Sequence, residues 1–374
     1  MMIRRLVILV LLLMLSACKP DEPDCQENPL DPACYVTYDE TKGNLTWAEE
    51  FDYEGLPDPE VWNYDLGGGG WGNREIQVYT DSLRNAEVKD GMLHITARKD
   101  TSLGTPMYTS ARLKTRYKAD FLFGYIEVRA KLPNMLGPWS AIWMKGTHEV
   151  YGGWPKSGEI DIMEYAQAKY PTLIKGTLHT EKYNHMKGTQ RGKTVLVDDV
   201  TQFHTYAIAW EPKAIRFFVD DELYHIERYS TVDEVTNWEA WPFDQQMYLL
   251  LNIAVGGSWG GEVIEIEDTA VMQVDWIRVW DWHINLEDDD EAPETPKDVT
   301  WQRSGDNVIL KWRQSVDNMA IHHYDIRVDG VLVHSDFHVS ATLELASGQT
   351  HEVSITAVDH AGNESPPYTL SLNL

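Results

Sequence analysis

The chain has 374 residues, 43% of them hydrophobic, and a formal net charge of −27. That apolar fraction excludes global disorder, and the length leaves room for two or three domains or one large β-domain with additions. The charge excludes nucleic acid, whose phosphates would be repelled, and disfavours a heavily sulfated polymer; a neutral polymer meets no such barrier.

In chain order, Met1-Met2-Ile3-Arg4-Arg5 gives a basic start, Leu6 to Leu15 an apolar run, and Ser16-Ala17-Cys18 small residues. This reads as a secretory signal over residues 1–17, too short to span a bilayer. Leu15-Ser16-Ala17-Cys18 resembles the lipobox of bacterial lipoproteins, which implies acylation at Cys18; Lys19, rather than Asp, follows and implies the outer membrane. Cys25 and Cys34 remain as a candidate tether disulfide in an oxidising compartment, and without nearby His they do not suggest zinc. Residues 18–43, rich in Pro, Asp and Glu, form an extended spacer. Residues 44–284 carry short runs rich in Val, Ile, Tyr and Trp, broken by Gly, Asn and Asp. Met92–Ala97, Gly124–Ala130 and Ile215–Val219 are examples, and no stretch holds a 3.6 period. The expected fold is all-β, a sandwich or barrel. Residues 285–296 are an acidic, Pro-bearing linker. Residues 297–374 show strands at Val308–Trp312, His323–Val328 and Val353–Asp359, with Asp329-Gly330 as a hairpin turn. They suit a small immunoglobulin-like sandwich. Together with Asp359-His360-Ala361-Gly362-Asn363-Glu364-Ser365 they resemble a fibronectin type III domain, read as an accessory unit without chemistry of its own.

The chemistry concentrates in Trp154-Pro155-Lys156-Ser157-Gly158-Glu159-Ile160-Asp161-Ile162-Met163-Glu164-Tyr165. On a strand Glu159 and Asp161 share one face, with Ile160 and Ile162 on the other. Glu164 would fall on the apolar face unless a β-bulge near Ile162 or Met163 returns it. Three acids on one face are costly in a core, because like charges raise one another's pKa. Catalysis, a calcium site and a solvated charged strand all remain open from these residues alone. The chain has 15 Trp and 18 Tyr against 8 Phe, and flat faces with polar edges suit both sugar stacking and an ordinary core.

Glu-x-Asp-x-x-Glu preceded by Trp154-Pro155 resembles the signature of glycoside hydrolase family 16, in the bulged branch that holds laminarinases, agarases and carrageenases. Supporting segments run in order: Trp71–Thr80, Thr109–Thr115, Gly124–Pro133, Gly137–Met144, Thr177–His179, Phe203–Trp210, Leu250–Trp259 and Asp275–Trp280. The resemblance implies a jelly-roll, concanavalin-like sandwich with an open concave cleft, hydrolysing β-glycosidic bonds with retention. It implies Glu159 as nucleophile, Glu164 as acid/base and Asp161 as helper, with no metal or organic cofactor in catalysis. It further implies Asn73 and Arg112 as partners of sugar hydroxyls, and Trp139, Trp143 and Trp154 as stacking platforms. His179 would stand near the leaving group and Trp259 as a cleft wall; Trp143 and His179 suit structural places equally. A structural calcium would draw on Glu50, Gly91 and Asp275, partly through carbonyls. The expected activity is a monomeric endo-β-1,3-glucanase acting on neutral β-glucan. Mixed-linkage glucanase, agarase or carrageenase and a non-catalytic glucan-binding surface lipoprotein are the alternatives.

Overall fold

The computed structural model describes residues 42–101, 107–229, 238–261, 269–282, 289–305, 307–317 and 319–374. Cys18, the Cys25–Cys34 pair and the spacer as far as residue 41 lie outside the described residues, as do residues 285–288 of the acidic linker. No described helix is long and apolar enough to cross a membrane.

Two antiparallel-rich sheets form the main body. The first runs, by adjacency, Glu222–Arg228, Ala214–Val219, His204–Glu211, Gly124–Lys131, Thr269–Trp280, Met92–Asp100, Met107–Ser110 and Gln77–Tyr79. Leu45–Glu49 pairs beside Thr269–Trp280, and Ala86–Lys89 beside Met92–Asp100. The second runs Arg191–Leu196, Leu173–His179, Glu159–Tyr165, Pro138–Gly146, Met247–Val255, Arg112–Lys114 and Asn63–Tyr64, with Asp120–Phe121 also on Met247–Val255. The all-β expectation holds, and the runs singled out by composition lie within strands.

Period-two alternation explains the layering. In Met247–Val255, Met247, Leu249, Leu251, Ile253 and Val255 enter the core between the sheets, while Asn252 and Ala254 face outward into a cleft. Ile142 and Met144 in the neighbouring strand repeat the inward set, with Trp139, Ala141, Trp143 and Lys145 outward. The core is aromatic at its thickest points: Trp62, Trp210, Phe217 and Phe243 are buried, and the Trp210 indole donates to the Phe243 carbonyl at 3.0 Å. Under the strand Leu173–His179 the sheets close tightly. A Cβ on Gly176 would stand 2.5 Å from the Tyr224 hydroxyl and 2.6 Å from Phe217 Cδ1. Only glycine admits that approach.

The C-terminal residues build a separate pair of sheets. Lys297–Ser304, Asn307–Arg313 and Ser340–Glu344 make one; Val331–Asp336, Ile321–Val328, Thr350–Asp359 and Tyr368–Asn373 make the other. Leu310, Trp312, Tyr324, Ile326, Val353 and Ile355 form their own core. This is the immunoglobulin-like division of seven strands. Asp329 and Gly330 sit at φ 51° and 82°, as a type I′ hairpin turn demands. Gln314 donates to Asp244 at 3.4 Å, and Phe337 rests on His148 with ring centroids 3.8 Å apart, so this unit abuts the main sandwich.

Candidate active site

The acidic strand Glu159–Tyr165 lies between Pro138–Gly146 and Leu173–His179. Its pairing is regular from Glu159 to Asp161 and then slips. Trp143 stands opposite Asp161 and Ile142 opposite Met163, which leaves Ile162 without a partner on that side. On the other side Asp161 meets Thr177 and Glu164 meets Lys175, so the strand spends one extra residue there. Ile162 and Met163 both turn into the core, at 1% and 0% exposure. The bulge therefore returns Glu164 to the face of Glu159 and Asp161, as the spacing required. Three rows cross the cleft floor: Lys145–Glu159–His179, Trp143–Asp161–Thr177 and Ala141–Glu164–Lys175.

Above this floor opens a cleft of about 550 Å³. Every residue expected to touch substrate lines it: Asn73, Arg112, Trp139, Trp143, Trp154, His179 and Trp259, together with the three acids. Arg112 is clamped between the Trp71 and Trp143 rings, 4.8 and 4.6 Å from their centroids, with Nε 3.0 Å from Asp65. Trp143 is a hybrid of the two expected roles. One edge meets the cleft, while its indole donates to Asn252 at 2.8 Å, and Asn252 donates to the Tyr79 hydroxyl at 3.1 Å. Asn73 donates weakly to Glu75 at 3.4 Å. Trp139 and Trp259 stack at 5.4 Å and 23°. Trp154 lies over His185, 5.1 Å between centroids, with His179 next to both. Trp71 and Glu75, within the segment Trp71–Thr80, also line the cleft, whereas the sequence does not single out Lys145, Lys175, His185, Met186 or Asn252 as cleft residues. Lys145 was within reach, because it alternates in phase with Trp139, Ala141 and Trp143. His185 and Met186 carry no periodic signal, since they sit in a loop.

The site is electrically uneven. Burial pushes the Glu159 carboxyl up to about 7, with Asp161 adding repulsion and His179, Lys145 and Arg112 pulling it back. Burial likewise raises Asp161, with Lys175 opposing. Glu164 is raised by burial first, then by Asp161, with Lys175 and His179 opposing and Glu159 adding repulsion. Both carboxyls are thus raised, Glu159 to about 7 and Glu164 to about 8, and the higher of the two is the better placed to retain a proton. His179 Nε2 is 3.3 Å from Asp161 and 3.8 Å from Glu159. Several buried polar atoms have no hydrogen-bond partner among the described residues: His179 Nδ1, Thr177 Oγ1, and the indole nitrogens of Trp139 and Trp154. Such atoms are costly to leave unpaired and suit ligand hydroxyls.

A stability prediction follows. A raised carboxyl binds its proton in the native state at pH values where the unfolded chain, near 4.5 for glutamate, has released it. Native stability then falls as pH rises above that value, and the cost is complete at alkaline pH. Glu164→Gln should melt with the wild type near pH 4 and several degrees above it at pH 9. A melting difference that does not vary with pH would contradict the buried, protonated Glu164.

The calcium expectation meets an obstacle. Glu50 is held by Arg278 through Nε at 2.7 Å and Nη2 at 3.0 Å, and Asp275 pairs with Arg129. Gly91 sits in the turn between Ala86–Lys89 and Met92–Asp100. Both carboxylates thus pair with arginines at partly exposed positions, and a calcium ion there would draw on main-chain carbonyls or compete with those pairs. Asp289, Asp317 and Asp359 also converge, beside the C-terminal unit. There Asn363 donates to Asp359 from both its main chain and its side chain, at 2.8 Å each.

An open, aromatic-lined cleft over paired buried glutamates defines a carboxylate-dependent hydrolase of a polymeric substrate. Residues 74–278 match the model of glycosyl hydrolases family 16. The chain is 49% identical to a β-glucanase of Rhodothermus marinus over 245 residues, 64% of this chain and 85% of that protein. It is 37% identical to a glucan endo-1,3-β-glucosidase of Cryptopygus antarcticus, over 64% of this chain and 92% of that one. Among solved structures, the laminarinase from Rhodothermus marinus superimposes with a TM-score of 0.61 at 47% identity, covering 64% of this chain and 98% of that chain. LamA from Z. galactanivorans, in complex with laminaritriose and laminaritetraose, does so at 0.56 and 34% identity, over 64% and 100%. This chain belongs to glycosyl hydrolase family 16, and it is a glycoside hydrolase.

Proposed function

We propose that the protein is a retaining endo-β-1,3-glucanase that cuts neutral β-glucan by double displacement. The observation that carries this reading is the bulged strand, which gathers two glutamates with raised carboxyls, Glu159 at about 7 and Glu164 at about 8, on one face of an open cleft. Glu159 as carboxylate attacks the anomeric carbon while Glu164 gives its proton to the departing oxygen. Glu164, now a carboxylate, takes a proton from water, whose oxygen then displaces Glu159 from the sugar. Asp161, with His179 beside it, shares in the proton balance of the pair. Trp139 and Trp154 offer ring faces and unpartnered N–H groups to sugars. The names of the relatives support a β-1,3-linked substrate, and the acidic chain is compatible with a neutral one.

The test is to offer laminarin, lichenan, agarose and carrageenan separately. Early release of mixed oligosaccharides from laminarin, with the β-anomer formed first, is the expected result. Inverted product would reject the nucleophile, and preferential digestion of agarose or carrageenan would reject the substrate class. We further infer that the protein is exported and held at a bacterial outer membrane through Cys18, with the C-terminal fibronectin type III-like unit as an accessory. Cys18→Ser should abolish incorporation of labelled fatty acid; retained label would refute the anchor.

A further inference from the structure

We propose that Lys175 is a positioning residue for the acid/base: its ammonium, set opposite Glu164, holds that carboxylate in the ionised form that the second half of the reaction needs. The proposal rests on the retaining reading given above and deepens it.

Lys175 is only 9% exposed. It lies in the middle of Leu173–His179, with Glu164 opposite on one side and Thr194 on the other. Its neighbours in the strand, Ile174 and Gly176, face the core, so its side chain stands on the cleft face. Among the described residues its ammonium makes no hydrogen bond and no ion pair; it lies over the Trp259 ring, 4.9 Å from the centroid. A lysine so buried without a salt-bridge partner costs stability, since desolvation is not offset by a paired charge. An apolar residue would pack there at lower cost. The position is explained if the charge acts on the carboxyl facing it.

The surroundings of Glu164 leave that task to Lys175. Its own strand supplies only like charges, Glu159 and Asp161. The strand Pro138–Gly146 supplies neutral Ala141 opposite it, while Lys145 stands in the row of Glu159. The strand Leu173–His179 supplies Lys175 in the same row and His179 in the row of Glu159. The loop above supplies neutral Trp259, and His185 lies over Trp154. Lys175 is thus the basic residue in Glu164's row, and its field opposes the repulsion from Asp161 and Glu159. When Glu164 has passed its proton to the glycosidic oxygen, a carboxylate remains beside two other acids until it recovers a proton from water. Lys175 stabilises that carboxylate without taking or giving a proton itself.

The experiment compares wild type, Lys175→Met and Lys175→Arg by kcat/KM against pH on laminarin, and by kcat on an aryl β-laminaribioside whose leaving group needs no proton. Removing the charge should move the alkaline limb up by about one pH unit or more, since a facing opposite charge shifts a carboxyl by that order. It should also slow breakdown of the glycosyl-enzyme about tenfold at neutral pH, because less Glu164 is ionised to act as base. Lys175→Arg should keep both near wild type. An alkaline limb that stays in place in a Met variant with unchanged melting, or activity lost at every pH, would overturn the proposal. Lys175→Gln replaces the Met variant if melting shows that the latter does not fold. A wild type that releases the inverted anomer, or lacks an alkaline limb, would instead reject the retaining reading itself.

Discussion

Glu159→Gln should lower hydrolysis of laminarin by on the order of 10⁴-fold or more while leaving laminarin-oligosaccharide affinity within a few-fold of wild type. The amide has nearly the volume of the carboxylate but cannot attack the anomeric carbon, so the covalent route closes. Binding survives because it draws on other atoms, the ring faces and unpartnered donors of Trp139, Trp154 and His179. Trp139 and Trp154 stand apart from Glu159 on a neighbouring strand and loop, and His179 keeps its contact with Asp161 when Glu159 is changed to the amide. The measurement is single-turnover hydrolysis alongside calorimetric titration with a laminarin oligosaccharide. A companion result is expected from a 2-fluoro glycoside of the same sugar: mass spectrometry should find it attached to the peptide bearing Glu159. Turnover within tenfold of wild type, or a label on another residue, would remove Glu159 from its role.

Glu164→Ala should fail differently. With laminarin, where the departing oxygen needs a proton, the rate should fall by about 10²–10⁴-fold, the range for general acid catalysis. With an aryl glycoside that leaves unprotonated, the glycosyl-enzyme should still form and then accumulate, because no base activates water. Azide, which attacks without a base, should restore turnover and yield the β-glycosyl azide. That product shows two inversions and so places the lost residue on the leaving-group side. An α-azide would mean that the residue removed was the nucleophile, and the two glutamates would exchange roles. No rescue, with laminarin hydrolysis intact, would mean that Glu164 takes no part. The contrast between the two variants arises from their chemistry: Glu159 supplies the attacking oxygen, while Glu164, whose carboxyl burial and Asp161 push higher, gives and recovers the proton.

Much of the site could be read from local pattern. Period-two alternation, the spacing of Glu159, Asp161 and Glu164, and the need for a bulge are properties of a few consecutive residues, and the register confirms them. The turn at Asp329-Gly330 is local in the same sense, since its left-handed backbone is a demand on two residues. The expected substrate contacts were visible because they sit within ordered segments of family resemblance. What could not be read depends on which strand lies beside which. Lys175 is eleven positions from Glu164 in the chain, and nothing in its own neighbours marks it; only the pairing of two strands makes them face. Arg112 between Trp71 and Trp143 draws on segments some thirty to forty residues away on either side.

The calcium expectation divides along the same line. Glu50, Gly91 and Asp275 were chosen by position along the chain, and the choice could not include Arg278 and Arg129, which reach the two carboxylates across adjacent strands. By itself the sequence determined an all-β chain with a C-terminal β-unit and a strand with Glu159 and Asp161 on one face, because side-chain direction in a strand alternates residue by residue; the register slip that adds Glu164 to that face is visible only in the pairing. The tertiary structure alone decided the charges around each acid and the partners of each arginine. Those depend on register between strands distant in sequence, and electrostatic interaction follows distance in space.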